Sequence, residues 1–315
     1  MDNQDNNKSA WNEPFYQTRS IGKCLSIGIS FLSNRFLQIM KLALPVICIL
    51  ALFTTIVVYV RCDASLEYSI GQTLLFKVFA TVAMTVAVAF VAAFVYRCVD
   101  VNIEGLNVYS VGYKYLYNKR FFNNVIIALI VSAIFVIVAV CLYLLASLLI
   151  QWIGPNENAS MVQGGFSITH IAVGAGAVLL YVAVTVPLYM AISVMMLERN
   201  GIFTDLKRGY VLGWKKWGRV FALEMLVVIL ILIAALFVMA PAYVLSLMQH
   251  SATLSRMQGD AVDIPAYFSV ITIGSLFVSS LVMSVFMLCR YLPHAYLYAT
   301  AKLEENDEET VVTKS

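Results

Sequence analysis

Six apolar runs without a single Lys, Arg, Asp or Glu constrain this chain more than anything else in it: residues 42–60, 78–96, 125–150, 168–197, 225–248 and 267–289. A helix rises about 1.5 Å per residue, so about 20 residues cross a hydrocarbon core of about 30 Å, and each run comes up to that length. In lipid every backbone N–H and C=O needs a partner inside its own helix or a closed barrel. The runs are too long and too evenly apolar for barrel strands, which alternate over about ten residues. The sequence therefore predicts an all-α, polytopic integral membrane protein with six transmembrane helices. Composition closes the soluble alternative: 61% of the residues are hydrophobic and 12% charged, where a soluble domain carries about a quarter charged.

Orientation follows from the basic residues. Of 21 Lys and Arg, all but Arg61, Lys77 and Arg256 fall on one side of the spans. Cytoplasmic flanks collect Lys and Arg, so that side, with both termini, is read as the cytoplasm. The first 35 residues lack a short apolar core with a cleavage site, so the first span is expected to be an uncleaved anchor. The chain divides into a cytoplasmic N-terminal segment with an interfacial helix (1–35), a six-span membrane domain (36–300) and an acidic cytoplasmic tail (301–315), expected to be a solvated end. The outer loops, 151–166 and 249–266, hold too little apolar material for a separate domain. One of them spells an N-glycosylation acceptor at Asn158-Ala159-Ser160. Of six cysteines only Cys62 falls near the outer, oxidising face, Cys24 and Cys98 fall on the cytoplasmic side and the other three in or at the edge of spans, so neither a disulfide framework nor a metal-ligand cluster is expected.

Three inner segments align from a glycine: "GISFLSNRF" at Gly28, "GYKYLYNKR" at Gly112 and "GYVLGWKKW" at Gly209. Each has Asn or Lys at its seventh position and a basic residue at its eighth, and each precedes an odd-numbered span. This reads as three hairpins, each introduced by a short amphipathic helix on the cytoplasmic surface. At about 100° per residue, Tyr210, Trp214 and Trp217 share one helical face and Arg208, Lys215 and Arg219 the other, as in a helix lying in the membrane interface. In the second copy Tyr109, Tyr113, Leu116 and Tyr117 share a face.

The third copy holds the densest candidate site: Lys207, Arg208, Tyr210, Trp214, Lys215, Lys216, Trp217 and Arg219. Basic residues among aromatics also describe single-strand nucleic-acid surfaces, but those need a groove several nucleotides long, not one short helix between two spans. No nucleic acid is expected. Topology anchoring accounts for the residue types, and anionic lipid headgroups are the candidate ligands, each cation contributing about 1 kcal/mol near a charged surface.

Charges inside spans are the default functional candidates in a membrane protein. Glu224 stands just inside the fifth span and is expected to pair with Lys41 or Arg290, either as a structural clamp or as a cation or proton site. His170 and His294 are each read as lone interfacial residues. Pro45, Pro187 and Pro241 lie within spans, where they kink helices. No HExxH, GxSxG or intramembrane carboxylate pair is present, so neither an enzyme nor a cofactor is expected. The serines of the sixth span, Ser275, Ser279, Ser280 and Ser284, read as packing glue.

The segment "MMLERNGIFTDLKRGYVLGWKKWGRVF" (195–221) resembles a loose group of uncharacterised prokaryotic six-span proteins, similar to the membrane domain attached to some glycerophosphoryl diester phosphodiesterases. The resemblance implies a multi-pass protein of the bacterial cytoplasmic (inner) membrane built from hairpins. It carries over neither the diesterase activity, since the chain has no room for the catalytic barrel, nor any binding residue. The expected function is a non-enzymatic membrane component that organises lipids, partner proteins or a second copy of itself; the alternative is a small-molecule or lipid transporter.

Overall fold

A computed structural model of the chain describes residues 15–34, 36–106, 108, 111–153, 168–260 and 265–312. The Asn158 glycosylation acceptor and Tyr109 lie outside the described residues. Among the described residues the regular structure is entirely helical: α1 (Ile21–Asn34), α2 (Phe36–Cys62), a short α3 (Ala64–Leu66) running into a π turn (Glu67–Gly71), α4 (Leu74–Ile103), α5 (Tyr113–Leu116), α6 (Lys119–Ile153), α7 (Ile168–Leu197), α8 (Ile202–Lys215), α9 (Trp217–Met257) and α10 (Ala266–Val312). Six of these, α2, α4, α6, α7, α9 and α10, are long and apolar enough to cross a membrane. The chain is thus an all-α multi-pass membrane protein.

The second and third aligned nonapeptides fall on helix junctions: α5 ends at Leu116 and α6 opens at Lys119; α8 ends at Lys215 and α9 opens at Trp217. The basic eighth residue of the first copy, Arg35, lies outside the described residues. In the other two copies the Asn or Lys and the basic residue at positions seven and eight mark the place where a short helix hands over to a span. Five of the six long helices extend beyond their apolar runs, α7 alone matching its run. α10 has 47 residues, about 70 Å at helical rise, and continues as helix through the acidic residues expected to form a loose tail. Glu and Lys are strong helix formers, so an anchored helix propagates through them.

Contact clustering divides the chain into two compact units, Met1–Ala128 with Ala222–Ser315, and Leu129–Phe221. In the first, α2 packs against α4 and α10, and α10 also packs against α1 and α4. The tight packing in α4 lies in its second half, where Ala87, Ala89, Ala92 and Ala93 are buried and small side chains let helices approach closely. Its first half presents Leu74, Leu75 and Phe79 to the surroundings. α4 ends on Gly105, whose φ of 73° suits the left-handed cap that glycine favours; Leu106 N–H donates to Val101 C=O at 3.1 Å to complete it.

In the second unit α8 folds back antiparallel along α7. Gly209 lies against Ala191 and Gly213 against Pro187, a small-residue seat with one helical turn between its two contacts. Asp205 Oδ2 accepts from the N–H groups of Asn200 and Gly201, at 2.9 and 3.2 Å, and fastens the tight turn.

Two of the span prolines, Pro45 and Pro187, have side-chain donors at the carbonyls they free. Proline has no N–H, so the carbonyl four residues earlier loses its helix partner, a costly loss in a water-poor medium. Pro45 frees the Lys41 carbonyl, which accepts from the Tyr113 hydroxyl; the Tyr117 hydroxyl donates to Leu42 C=O at 2.7 Å. Pro187 frees the Ala183 carbonyl, which accepts from the Trp217 indole N–H at 3.3 Å. Beside Pro241, Ser279 Oγ donates to Val238 C=O at 3.0 Å. Tyr113, Tyr117 and Trp217, read from sequence as membrane-belt aromatics, therefore complete the backbone of proline-containing spans.

Candidate functional site

The basic, aromatic helix is built around its glycines. With Gly209 and Gly213 buried against α7, the other faces of α8 are turned outward: Lys207, Arg208 and Lys215 are exposed, as are Phe203, Val211 and Trp214. Tyr210 and Trp214 make an edge-to-face ring contact at 6.2 Å, so these two do share a face as expected. Trp217 does not belong with them. The helix breaks at Lys216, and Trp217 opens α9, stacking on Phe221 at 4.9 Å while its N–H serves Ala183. A single helical wheel cannot be drawn through a break. Arg208 turns back to Glu198 at the end of α7, 2.7 Å away. Arg219 is exposed and Lys216 half-buried at the junction.

Glu224 is the second centre. It lies on α9, buried, and both of its oxygens are engaged: Oε1 by the Arg290 guanidinium and Oε2 by His294 Nε2 at 2.9 Å. Arg290 and His294 are four residues apart on α10, hence on one face. Of the two bases expected beside Glu224, Arg290 is there. Lys41 is instead an exposed residue of α2 whose backbone carbonyl accepts from Tyr113. His294 was expected to be a lone interfacial residue. It is 0% exposed because α10 does not end with its apolar run but continues as helix past Pro293. The signal was present in the sequence: Arg290 and His294 at helical spacing, with a carboxylate at the matching end of the preceding span.

A third cluster was missed altogether. Arg97, counted from the sequence among the basic residues that flank the spans, lies inside α4 with 1% exposure. Its Nη1 is 3.5 Å from both Asp100 and Glu104, and its guanidinium carbon lies 5.0 Å from the centre of the Tyr115 ring. The i, i+3, i+7 spacing of Arg97, Asp100 and Glu104 could have revealed it. Glu104 also pairs with Arg120 and accepts from the Tyr115 hydroxyl at 2.6 Å. Burial alone raises the Glu104 carboxyl, but Tyr115, Arg97 and Arg120 together outweigh it and hold it below the ordinary carboxylate range.

Beside the Glu224 centre lies an apolar cavity of about 400 Å³. Leu25, Ile29 and Ser33 of α1 face it from one side, Val227 and Ile231 of α9 from another, and Phe286 of α10 from a third. Val227 is one turn beyond Glu224 and Phe286 one turn before Arg290, so the cavity and the charged cluster share a wall. Comparison of the chain with family models, curated proteins and solved structures finds no match.

Proposed function

We propose that this chain is a non-catalytic, multi-pass protein of the bacterial cytoplasmic membrane, both termini in the cytoplasm, that organises anionic lipids and, with them, partner proteins at the inner face. The observation that carries this reading is α8. Two glycines seat it on α7, which leaves Lys207, Lys215, Phe203 and Trp214 directed outward together. Exposed aromatics beside exposed cations fit the boundary between acyl chains and phosphates. The resemblance of 195–221 to the membrane domain of some glycerophosphoryl diester phosphodiesterases agrees with a non-catalytic role. Transport is the less supported reading, because it calls for a polar cavity reaching the midplane, and the cavity next to Glu224 is lined almost wholly by apolar side chains.

The test is lipid enrichment around the full chain in nanodiscs of equimolar phosphatidylcholine and phosphatidylglycerol. The wild type is expected to enrich phosphatidylglycerol, and K207Q/K215Q to lose about 2 kcal/mol of that preference at low salt, shrinking as salt is raised. Equal enrichment of the two lipids by the wild type sinks the proposal.

A further inference from the structure

The inner end of α10 and the inner end of α7 form an internal control. Pro293 precedes Glu304 by the same interval as Pro187 precedes Glu198. Both prolines receive a glycine from an antiparallel partner helix, Gly28 of α1 against Pro293 and Gly213 of α8 against Pro187. In this register Arg290 corresponds to Val184 and His294 to Leu188. Leu188 is buried, as His294 is. The proline–glycine seat is therefore built equally well with apolar residues, and packing does not require a base at either position. Buried ionisable groups that packing does not demand are functional candidates in a membrane protein.

The surroundings of the charged cluster differ from its counterpart in a second way. Gly209 and Gly213 bring α8 onto the backbone of α7. α1 touches α10 through Gly28 alone among its glycines, while its neighbouring face, Leu25, Ile29 and Ser33, stands over the cavity. At about 400 Å³ the cavity lies in the range of about 300–1,000 Å³ that ligand pockets occupy. Ile29, Leu230 and Phe286 on its wall are exposed, so it opens sideways. Its α9 and α10 walls belong to membrane-crossing helices, so the medium at that opening is acyl chain. At the inner boundary of the same wall stands Arg290, whose side chain is 25% exposed. Glu224 is held between Arg290 and His294, and of the three side chains the guanidinium is the one that reaches the surface, Glu224 and His294 being 6% and 0% exposed.

We propose that this cavity is a binding site for one inner-leaflet anionic phospholipid: an acyl chain lies between α1, α9 and α10, and the phosphate meets the outer edge of Arg290. Glu224 and His294 position the guanidinium for that contact. The site is distinct from the α8 surface, and its lipid is held in a cavity, whereas lipid at α8 exchanges with the annulus.

The experiment uses the full chain, extracted in mild detergent, washed, and analysed for retained phospholipid. A photoactivatable phosphatidylglycerol with a diazirine in its acyl chain is added in parallel. The wild type is expected to retain phosphatidylglycerol over phosphatidylcholine, with photolabel on 227–231 or 285–289. Filling the cavity with Ile29→Trp or Ile231→Trp is expected to cut both readouts at least about fivefold. The triple variant Glu224→Leu, Arg290→Val, His294→Leu, which installs apolar counterparts from α7 at the two α10 positions, is expected to keep the chain but lose the headgroup preference. Photolabel confined to other segments of the wild type overturns the proposal. So does equal retention of the two phospholipids, and neither readout depends on how a variant folds.

Discussion

Two helix pairs in this protein share one plan and use it differently. In α7–α8 a proline on the span meets Gly213, and the pair is pinned at its rim by Glu198 and a 42% exposed Arg208. In α10–α1 a proline meets Gly28, but the charges have moved inside, to Glu224, Arg290 and His294. The first pair is closed backbone to backbone; the second keeps an apolar cavity next to a buried carboxylate. The seat is thus a structural device, and the buried charges are an addition to it.

The comparison can be broken most forcefully at Gly213. A Cβ there falls 2.6 Å from the Pro187 carbonyl oxygen and 2.7 Å from its Cα, and backbone cannot yield as a side chain can. Gly213→Ala is expected to cost about 3 kcal/mol, read as a lowered thermal midpoint and folded yield in mild detergent. The buried charges come next. Glu224→Gln removes the buried negative charge beside Arg290 and His294 and is expected to cost about 3 kcal/mol. The triple apolar exchange described above is expected to melt within about 1 kcal/mol of wild type, because replacing a whole buried ion cluster with apolar groups is often neutral or better. If the triple variant is as damaged as Glu224→Gln, the charges are structural after all.

Smaller effects sharpen the contrast. Trp217→Phe leaves the Ala183 carbonyl without its donor and is expected to lower stability by about 1 kcal/mol. At Gly28 a Cβ would press on the Pro293 ring, at 3.0 and 3.2 Å, and meet the Cys289 carbonyl oxygen at an ordinary contact distance of 3.6 Å, so a shift of the ring by a few tenths of an ångström suffices. Gly28→Ala is expected to cost less than about 1 kcal/mol in the same melts, well below Gly213→Ala. Last, Glu198→Gln breaks a partly exposed pair and is expected to change the midpoint by under about 1 kcal/mol, the effect fading as salt is added.

The spans were legible because uninterrupted apolar length has one solution in lipid, and the second and third nonapeptides were legible as the approach to a span because an Asn or Lys followed by a basic residue recurs just ahead of each apolar run. Where the helices end was not. The sequence of α10 past Cys289 carries charge, a proline and polar aromatics, all of which read as exit from the membrane, whereas tertiary packing against α1 keeps it helical and buries Tyr296 and Tyr298. His294 was lost for the same reason. Arg290 was found because span-edge charge is a local property; the choice between Arg290 and Lys41 was not, because it depends on which helices meet. Gly213 illustrates the limit: its spacing from Gly209 is visible, but its partner Pro187 lies in another helix.

The capped prolines bear on the order in which the chain can assemble. A ribosome delivers Pro45 well before Tyr113 and Pro187 before Trp217. During the interval the Lys41 and Ala183 carbonyls have no hydroxyl or indole to accept from, so each of these spans enters the bilayer with an open acceptor that the following segment later closes. These two later segments thereby lock spans made earlier in the chain, Tyr113 the first span and Trp217 the fourth.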